Sequence, residues 1–196
     1  SDASFSAAVT LGLSGVIRAL NFLNNDVKIC HGLFSHESVF VTSGGDWKLS
    51  RFDVAGTIDT AFFDRHGLLS RAYQCPARVS GDRSSLRNMP LHSIDAWSLG
   101  VLIRTVYGGE VLRHEDLQNT SKIPKGLLQA YQKLLKGTPE QRLNVNRMLT
   151  MKFFQTPLVQ SMLFLDEIMI KTPSEKYEFF QSLTKDIDTF PRHVCK

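Results

Sequence analysis

The stretch from Ile94 to Tyr107 constrains the fold more than any other part of the chain. Trp97, Leu99, Val101, Leu102, Ile103 and Val106 point in nearly every direction around a helix. A helix that is apolar on all sides has to be enclosed by the rest of a domain. Gly108-Gly109 stops it. The chain has the material to enclose it: 42% of its 196 residues are hydrophobic, an ordinary value for one soluble domain.

Helical periodicity recurs on both sides of this segment. Val9, Leu13, Val16, Leu20 and Leu23 fall on one stripe, widened by Ile17 and Phe22, and Asn24-Asn25-Asp26 should end that helix. Lys125 to Leu135 is amphipathic, with Leu127, Leu128, Tyr131, Leu134 and Leu135 inward. Arg147 to Phe154 reads as a further short helix. Leu158 to Lys171 carries Leu158, Met162, Leu165 and Met169 on one face. Thr172-Pro173-Ser174-Glu175 combines a capping threonine, a proline at the first helical position and a glutamate three residues after the cap. The helix it opens should run to about Asp186, with Phe180, Leu183 and Ile187 as its stripe, and Pro191 closes it.

Two or three short strands are expected at Val27 to Cys30, Ser38 to Thr42 and Trp47 to Leu49, with Ser43-Gly44-Gly45-Asp46 as a hairpin connection. Residues 51–93 show no sustained period and read as a long irregular segment. The expected fold class is mainly α with a few short β-strands.

Several function classes are disfavoured at this level. The net charge of +4 is scattered; Lys122 with Lys125 and Lys133 with Lys136 sit at helical spacings without aromatic interleaving, the pattern of a solvated face and not of a nucleic-acid patch. Cys30, Cys75 and Cys195 are too few and too far apart for a disulfide framework or a zinc site, which fits a reducing compartment. No continuous apolar run approaches the ~18 residues of a membrane span, and Ser1 to Ala8 lacks the pattern of a signal peptide. No glycine-rich nucleotide loop occurs.

The residues that carry chemistry make sense only in order. His31-Gly32-Leu33 is followed by Ser38-Val39-Phe40-Val41, then Lys48-Leu49-Ser50-Arg51-Phe52-Asp53, Tyr73-Gln74-Cys75-Pro76-Ala77, Asp95-Ala96-Trp97-Ser98-Leu99-Gly100 and Thr138-Pro139-Glu140-Gln141-Arg142. This succession resembles the C-terminal lobe of protein kinases, and the Asp95-x-Trp97-Ser98-Leu99-Gly100 stretch resembles the start of that lobe's buried central helix. On this resemblance residues 1–156 are a kinase-like C-terminal lobe without its N-terminal lobe. Residues 157–196 are a helical hairpin leading toward a missing α-solenoid, although no repeat period is present.

The departures from the kinase pattern outweigh the matches. Phosphoryl transfer needs a carboxylate to orient the attacking hydroxyl, and oxygen ligands to hold magnesium against the phosphates. Leu33 stands at the catalytic aspartate position, Ser38 at the metal-binding asparagine position and Arg51 at the metal-binding aspartate position, with Phe52 retained and Asp53 where glycine is expected. An aliphatic residue accepts no proton, and an arginine repels a cation. The resemblance implies that His31 is a packed, hydrogen-bonded core histidine and that Asp95 accepts backbone N–H bonds from the loop around His31. It further implies that Trp97 and Arg142 are structural. The usual glutamate partner of Arg142 is replaced by Ala77, so Arg142 is expected to find another acid or to stay near solvent. Arg65, Arg83, Arg87 and His92 read as solvated loop charges.

Within kinase-like proteins the chain resembles the SCY-like pseudokinases. The resemblance rests on Ala19 to Asp26, Ile29 to Gly32, Asp46 to Leu49, Lys122 to Leu127, Leu163 to Lys171, Glu175 to Leu183 and Phe190-Pro191. It implies a catalytically inactive scaffold in the cytoplasm, often near the Golgi, with protein partners that include COPI coat components and, for some members, tRNA-related partners. No metal, no cofactor and no ATP binding are expected. The competing readings are a divergent kinase that drafts Asp53 or Glu37 into service, and a nucleotide-binding switch without chemistry.

Overall fold

The computed structural model describes residues 2–58 and 68–190, the side chains from Ser4 onward. Arg65, Pro191 and Cys195 lie outside these residues.

The chain opens with α1 (Asp2–Asn21), which buries Val9, Leu13, Val16, Ile17 and Leu20. It does not stop at Asn24. A wider π-type turn carries on from Phe22 to Val27 and ends at Lys28 in the left-handed conformation (φ 64°). The wider turn brings Asn24 inward, where its Nδ2 donates to the Ile29 carbonyl at 3.0 Å. Phe22, expected on the apolar stripe, is 57% exposed as a result. Ser4–Val27 is also long and apolar enough to cross a membrane. It passes by length and composition only, because small and polar residues are averaged over the helix. The stripe of that helix is packed into the domain core.

Two strands follow, β1 (Val39–Val41) and β2 (Trp47–Leu49), antiparallel with Val39 opposite Leu49 and Val41 opposite Trp47. Gly45 takes φ 90° in the connection, a conformation that side chains with a Cβ avoid. The first expected stretch contributes only an isolated bridge, Cys30 to Gly56. The hairpin lies on α1, and Gly12 allows it: a Cβ there would fall 2.2 Å from the Trp47 ring.

The described part of 51–93 is less irregular than its composition suggests. It contains α2 (Pro76–Ser80), opened by a proline, and α3 (Arg83–Asn88), capped by the Asp82 carboxylate on the Ser84 and Ser85 amides. These helices are too short to show a period. Next comes α4 (His92–Gly108), the helix apolar all round, in which every residue from Ser93 to Arg104 is buried. Against it packs α5 (Lys125–Leu134), and Gly100 allows that approach, since a Cβ there would sit 2.7 Å from Leu135.

Arg147 to Phe154 is not a continuous helix. It consists of separate 3₁₀ turns, Val145–Arg147 and Lys152–Phe154. Val145, Met148 and Phe154 are buried and Met151 is half-buried, so inward side chains recur every third residue, the repeat of a 3₁₀ turn. The next helix, α6 (Pro157–Asp166), is shorter than expected, and a 3₁₀ turn at Ile168–Ile170 leads to the following proline. Met169, expected on the same face as Leu158, is therefore 87% exposed. Last comes α7 (Pro173–Asp186), whose cap joins Thr172 and Glu175 reciprocally. It buries no residue completely; Phe179 stacks on Phe164 of α6 at 4.1 Å, while Phe180 and Ile187 stay exposed.

Candidate functional site

The site is assembled from three pieces of chain that α4 and the hairpin hold together. Asp95, in the first turn of α4, is fully buried. Its Oδ2 accepts from the His31 amide at 2.8 Å and from Asn24 Nδ2 at 2.8 Å, and its Oδ1 accepts from the Gly32 amide at 3.2 Å. A buried carboxylate is tolerable when its lone pairs are filled in this way. Gly32 takes φ 75°, and its carbonyl accepts from the buried Arg78 guanidinium at 2.6 Å. The 31–33 loop is thus anchored from below by a carboxylate and from the side by an arginine.

His31 is fully buried. Its Nε2–H donates to the Ser50 carbonyl at 2.9 Å, and its ring packs against Phe52 (4.9 Å between centroids) and Phe34 (6.0 Å). Burial holds its pKa below the ordinary value, outweighing the pull of Asp95 in the opposite direction. A neutral ring bonded to a carbonyl and wedged between aromatics ties the two motif segments together. Cys30 beside it is also buried, and desolvation pushes its thiol well above the usual range, so it does not ionise near neutral pH.

Leu33, Ser38 and Arg51, the residues that the kinase resemblance sets at the phosphotransfer positions, are placed as follows. Leu33 is fully buried in the apolar core. Ser38 is also buried, and its hydroxyl is spent on its own loop, donating to the Ser35 carbonyl at 2.8 Å and accepting from the Ser35 amide at 3.0 Å. Its carbonyl takes the Ser50 amide at 2.8 Å, which joins the loop to the exit of β2. Arg51 has a left-handed backbone (φ 61°). That conformation costs a residue with a Cβ about 1–2 kcal/mol. Its guanidinium reaches Glu37 at 2.6 Å and the Leu68 carbonyl at 3.5 Å.

The Glu37 carboxylate is therefore paired with the Arg51 guanidinium. Asp53 is exposed. Among the described residues no three His, Cys, Asp or Glu side chains form a group able to hold a metal ion. The donor set at Leu33, Ser38 and Arg51 does not fit a metal–triphosphate complex, because it offers an alkyl group, an engaged hydroxyl and a cation.

Arg142 does neither of the things expected of it. Among the described residues it forms no salt bridge with an acid, and it is only 3% exposed. Its guanidinium donates instead to three carbonyls, of Lys136 (2.8 Å), Ser93 (3.0 Å) and Gly137 (3.1 Å), and lies 5.2 Å from the centre of the Trp97 ring. Backbone oxygens thus serve where the resemblance would set a glutamate at Ala77. Trp97 in turn donates to the Ala72 carbonyl at 3.1 Å. His92, expected as a solvated loop charge, is half-buried at the start of α4 with its ring at the Arg142 carbonyl (3.3 Å). The sequence reading also missed Asn24 and Arg78. Asn24 reads as a turn residue from its neighbours Asn25 and Asp26. The signal for Arg78 was its position directly after Cys75-Pro76-Ala77, in a segment with no periodicity to orient it.

A scan against protein-family models finds no match. Curated proteins do match over nearly the whole chain. A probable inactive serine/threonine-protein kinase, scy1, of Dictyostelium discoideum is 33% identical over 98% of this chain and 24% of its own length. The protein kinase-like protein SCY1 of Saccharomyces cerevisiae is 26% identical over 93% of this chain and 26% of its own. The mouse protein-associating with the carboxyl-terminal domain of ezrin is 28% identical over 90% of this chain and 24% of its own. The chain spans about a quarter of the length of these relatives.

Proposed function

The chain belongs with the SCY1-like, protein-kinase-like proteins, and on that premise we propose that it is part of a pseudokinase that binds other proteins and does not transfer phosphate. The observation that carries the reading is the Arg51–Glu37 ion pair, at the residue that the resemblance sets in place of a metal ligand. An arginine there both removes an oxygen ligand and occupies the nearest carboxylate. Losing the clamp on the transferring phosphoryl group removes the electrostatic stabilisation on which its rate depends. The buried Leu33 supports the same reading.

The finer assignments are part of this proposal. Residues 1–156 form the kinase-like C-terminal lobe, and 157–196 form a helical hairpin that leads out of it. Support for the second comes from the Phe164–Phe179 stack between α6 and α7. Work in cytoplasmic, Golgi-proximal vesicle traffic with COPI coat partners follows from the family resemblance. One relative is named for association with ezrin's C-terminal domain, a precedent for protein binding in a chain of this kind.

The test uses full-length protein with magnesium and γ-labelled ATP. No autophosphorylation and no transfer to a generic protein substrate is expected. Transfer that disappears with Asp53→Ala would overturn the proposal in favour of a divergent kinase. A thermal shift on adding ATP without any transfer would replace it with a nucleotide-binding switch.

A further inference from the structure

A second site lies away from these motifs, in a cleft bounded on three sides by α1, the hairpin and α6. Ala8, Leu11, Ser14, Gly15 and Arg18 recur at helical spacing, so α1 gives the cleft one stripe of its surface. From α6 come Val159, Met162, Leu163 and Asp166, also at helical spacing. Trp47 and the connection before it form the third side. The space between them is about 320 Å³. That is the lower end of the roughly 300–1,000 Å³ common for small-molecule pockets.

Ser14 is only 3% exposed, and its hydroxyl has no hydrogen-bond partner. A serine or threonine inside a helix often returns its hydroxyl to the carbonyl one turn back. Thr10, one turn earlier on α1, does so, donating to the Ser6 carbonyl at 2.7 Å. Ser14 does not, and a buried hydroxyl left in this state gains by meeting a bound polar group. The charges around it cancel. Arg18 pairs with Asp166 at 3.4 Å and Lys48 with Asp46 at 3.9 Å, and Glu167, next to Asp166, is taken by Lys171 at 2.7 Å. Two cations and two anions line the cleft, so neither sign of ligand is favoured. Apart from the Arg18–Asp166 pair, Ser14 is the one polar side chain that the two helices bring to the lining; the others are apolar or glycine. An ordered water needs about 2–4 polar partners, so a mainly apolar molecule suits these walls better than water does.

We propose that this cleft binds a small uncharged molecule, an apolar body carrying one hydroxyl that bonds to Ser14. The apolar body rests on Leu11, Met162, Leu163 and the Trp47 ring. The site goes beyond loss of phosphotransfer and does not depend on it, since Leu33, Ser38 and Arg51 are not part of its lining. The binding test contains no nucleotide, so its failure leaves the pseudokinase reading untouched.

The probe is para-trifluoromethylbenzyl alcohol. Its counterpart without the hydroxyl is para-trifluoromethyltoluene, and para-trifluoromethylbenzoate and para-trifluoromethylbenzylamine are the charged controls. Each is titrated with the isotope-labelled full chain, and binding is read from fluorine line broadening and from the indole N–H resonances. Trp47 lines the cleft, whereas Trp97 is buried elsewhere and bonded to the Ala72 carbonyl, so the alcohol should shift Trp47 and leave Trp97 in place. The alcohol should bind about three- to tenfold tighter than the toluene, the worth of one neutral hydrogen bond. Ser14→Ala should erase that advantage without weakening the toluene. Because the hydroxyl has no partner to lose, the melting temperature of ligand-free Ser14→Ala should stay level or rise. A fall of several degrees shows that the hydroxyl is satisfied within the folded chain and overturns the assignment. So does the absence of a Trp47 shift, equal binding of alcohol and toluene by the wild-type chain, or tighter binding of either charged control.

Discussion

Replacing Asp95 with alanine should cost more stability than any single change on the surface, and its size can be worked out from the bonds. Three donors end on this carboxylate: the amides of His31 and Gly32 and the Asn24 side chain. All three come from buried residues, so water cannot replace the lost acceptor. Each buried donor left without a partner costs about 1–3 kcal/mol. Removing the buried charge itself offsets part of that sum, which leaves about 3–5 kcal/mol. For a chain of this size the melting temperature should fall by roughly 6–20 °C. Asp95→Asn keeps the shape and one acceptor oxygen but points an amide NH₂ at one donor, and should cost about 1–3 kcal/mol. Urea unfolding followed by circular dichroism and the fluorescence of Trp47 and Trp97 measures both. Asn24→Ala in the Asp95→Ala background should be much less costly than alone, with a coupling above about 0.5 kcal/mol. A cost for Asp95→Ala below about 1 kcal/mol, or strict additivity with Asn24→Ala, would refute the claim that this carboxylate organises the 31–33 loop.

Four further outcomes can be checked in the same way. Stability should fall as the pH drops from about 7 to 5: burial lowers the folded-state pKa of both His31 and His92, so below the ordinary histidine value of ~6.5 the unfolded chain binds more protons, and urea midpoints in His31→Gln with His92→Gln should flatten that dependence. Arg142→Ala should cost about 3 kcal/mol or more, because three carbonyls lose a buried charged donor, and Arg142→Lys should recover little since one ammonium cannot match the guanidinium fork. Gly12→Ala should destabilise by about 1–3 kcal/mol through overlap with the Trp47 ring, and Trp47→Leu should relieve part of it in the double variant. Thr172→Ala should destabilise α7 by about 1 kcal/mol, seen as faster amide exchange there with no change in the melting of the core.

What the sequence settles by itself is set by local periodicity and residue chemistry. The all-round apolar run had to lie inside, and α4 does. The cap at Thr172 is a local pattern, and α7 begins where it predicts. The side-chain chemistry at Leu33 and Arg51 is also local: no surrounding can turn an alkyl group into a base or a guanidinium into a cation ligand. Tertiary structure alone decides which distant groups become partners. A guanidinium can be satisfied by a carboxylate or by carbonyls, so Arg142 could not be assigned before the Lys136–Gly137 turn and the start of α4 were seen to meet around it. Asn24 looks like a turn residue until Asp95 arrives from across the core, and Arg51 has no fixed orientation until Glu37 comes within reach. Long-range bonds of this kind leave no period in the chain, because either partner could have been satisfied elsewhere.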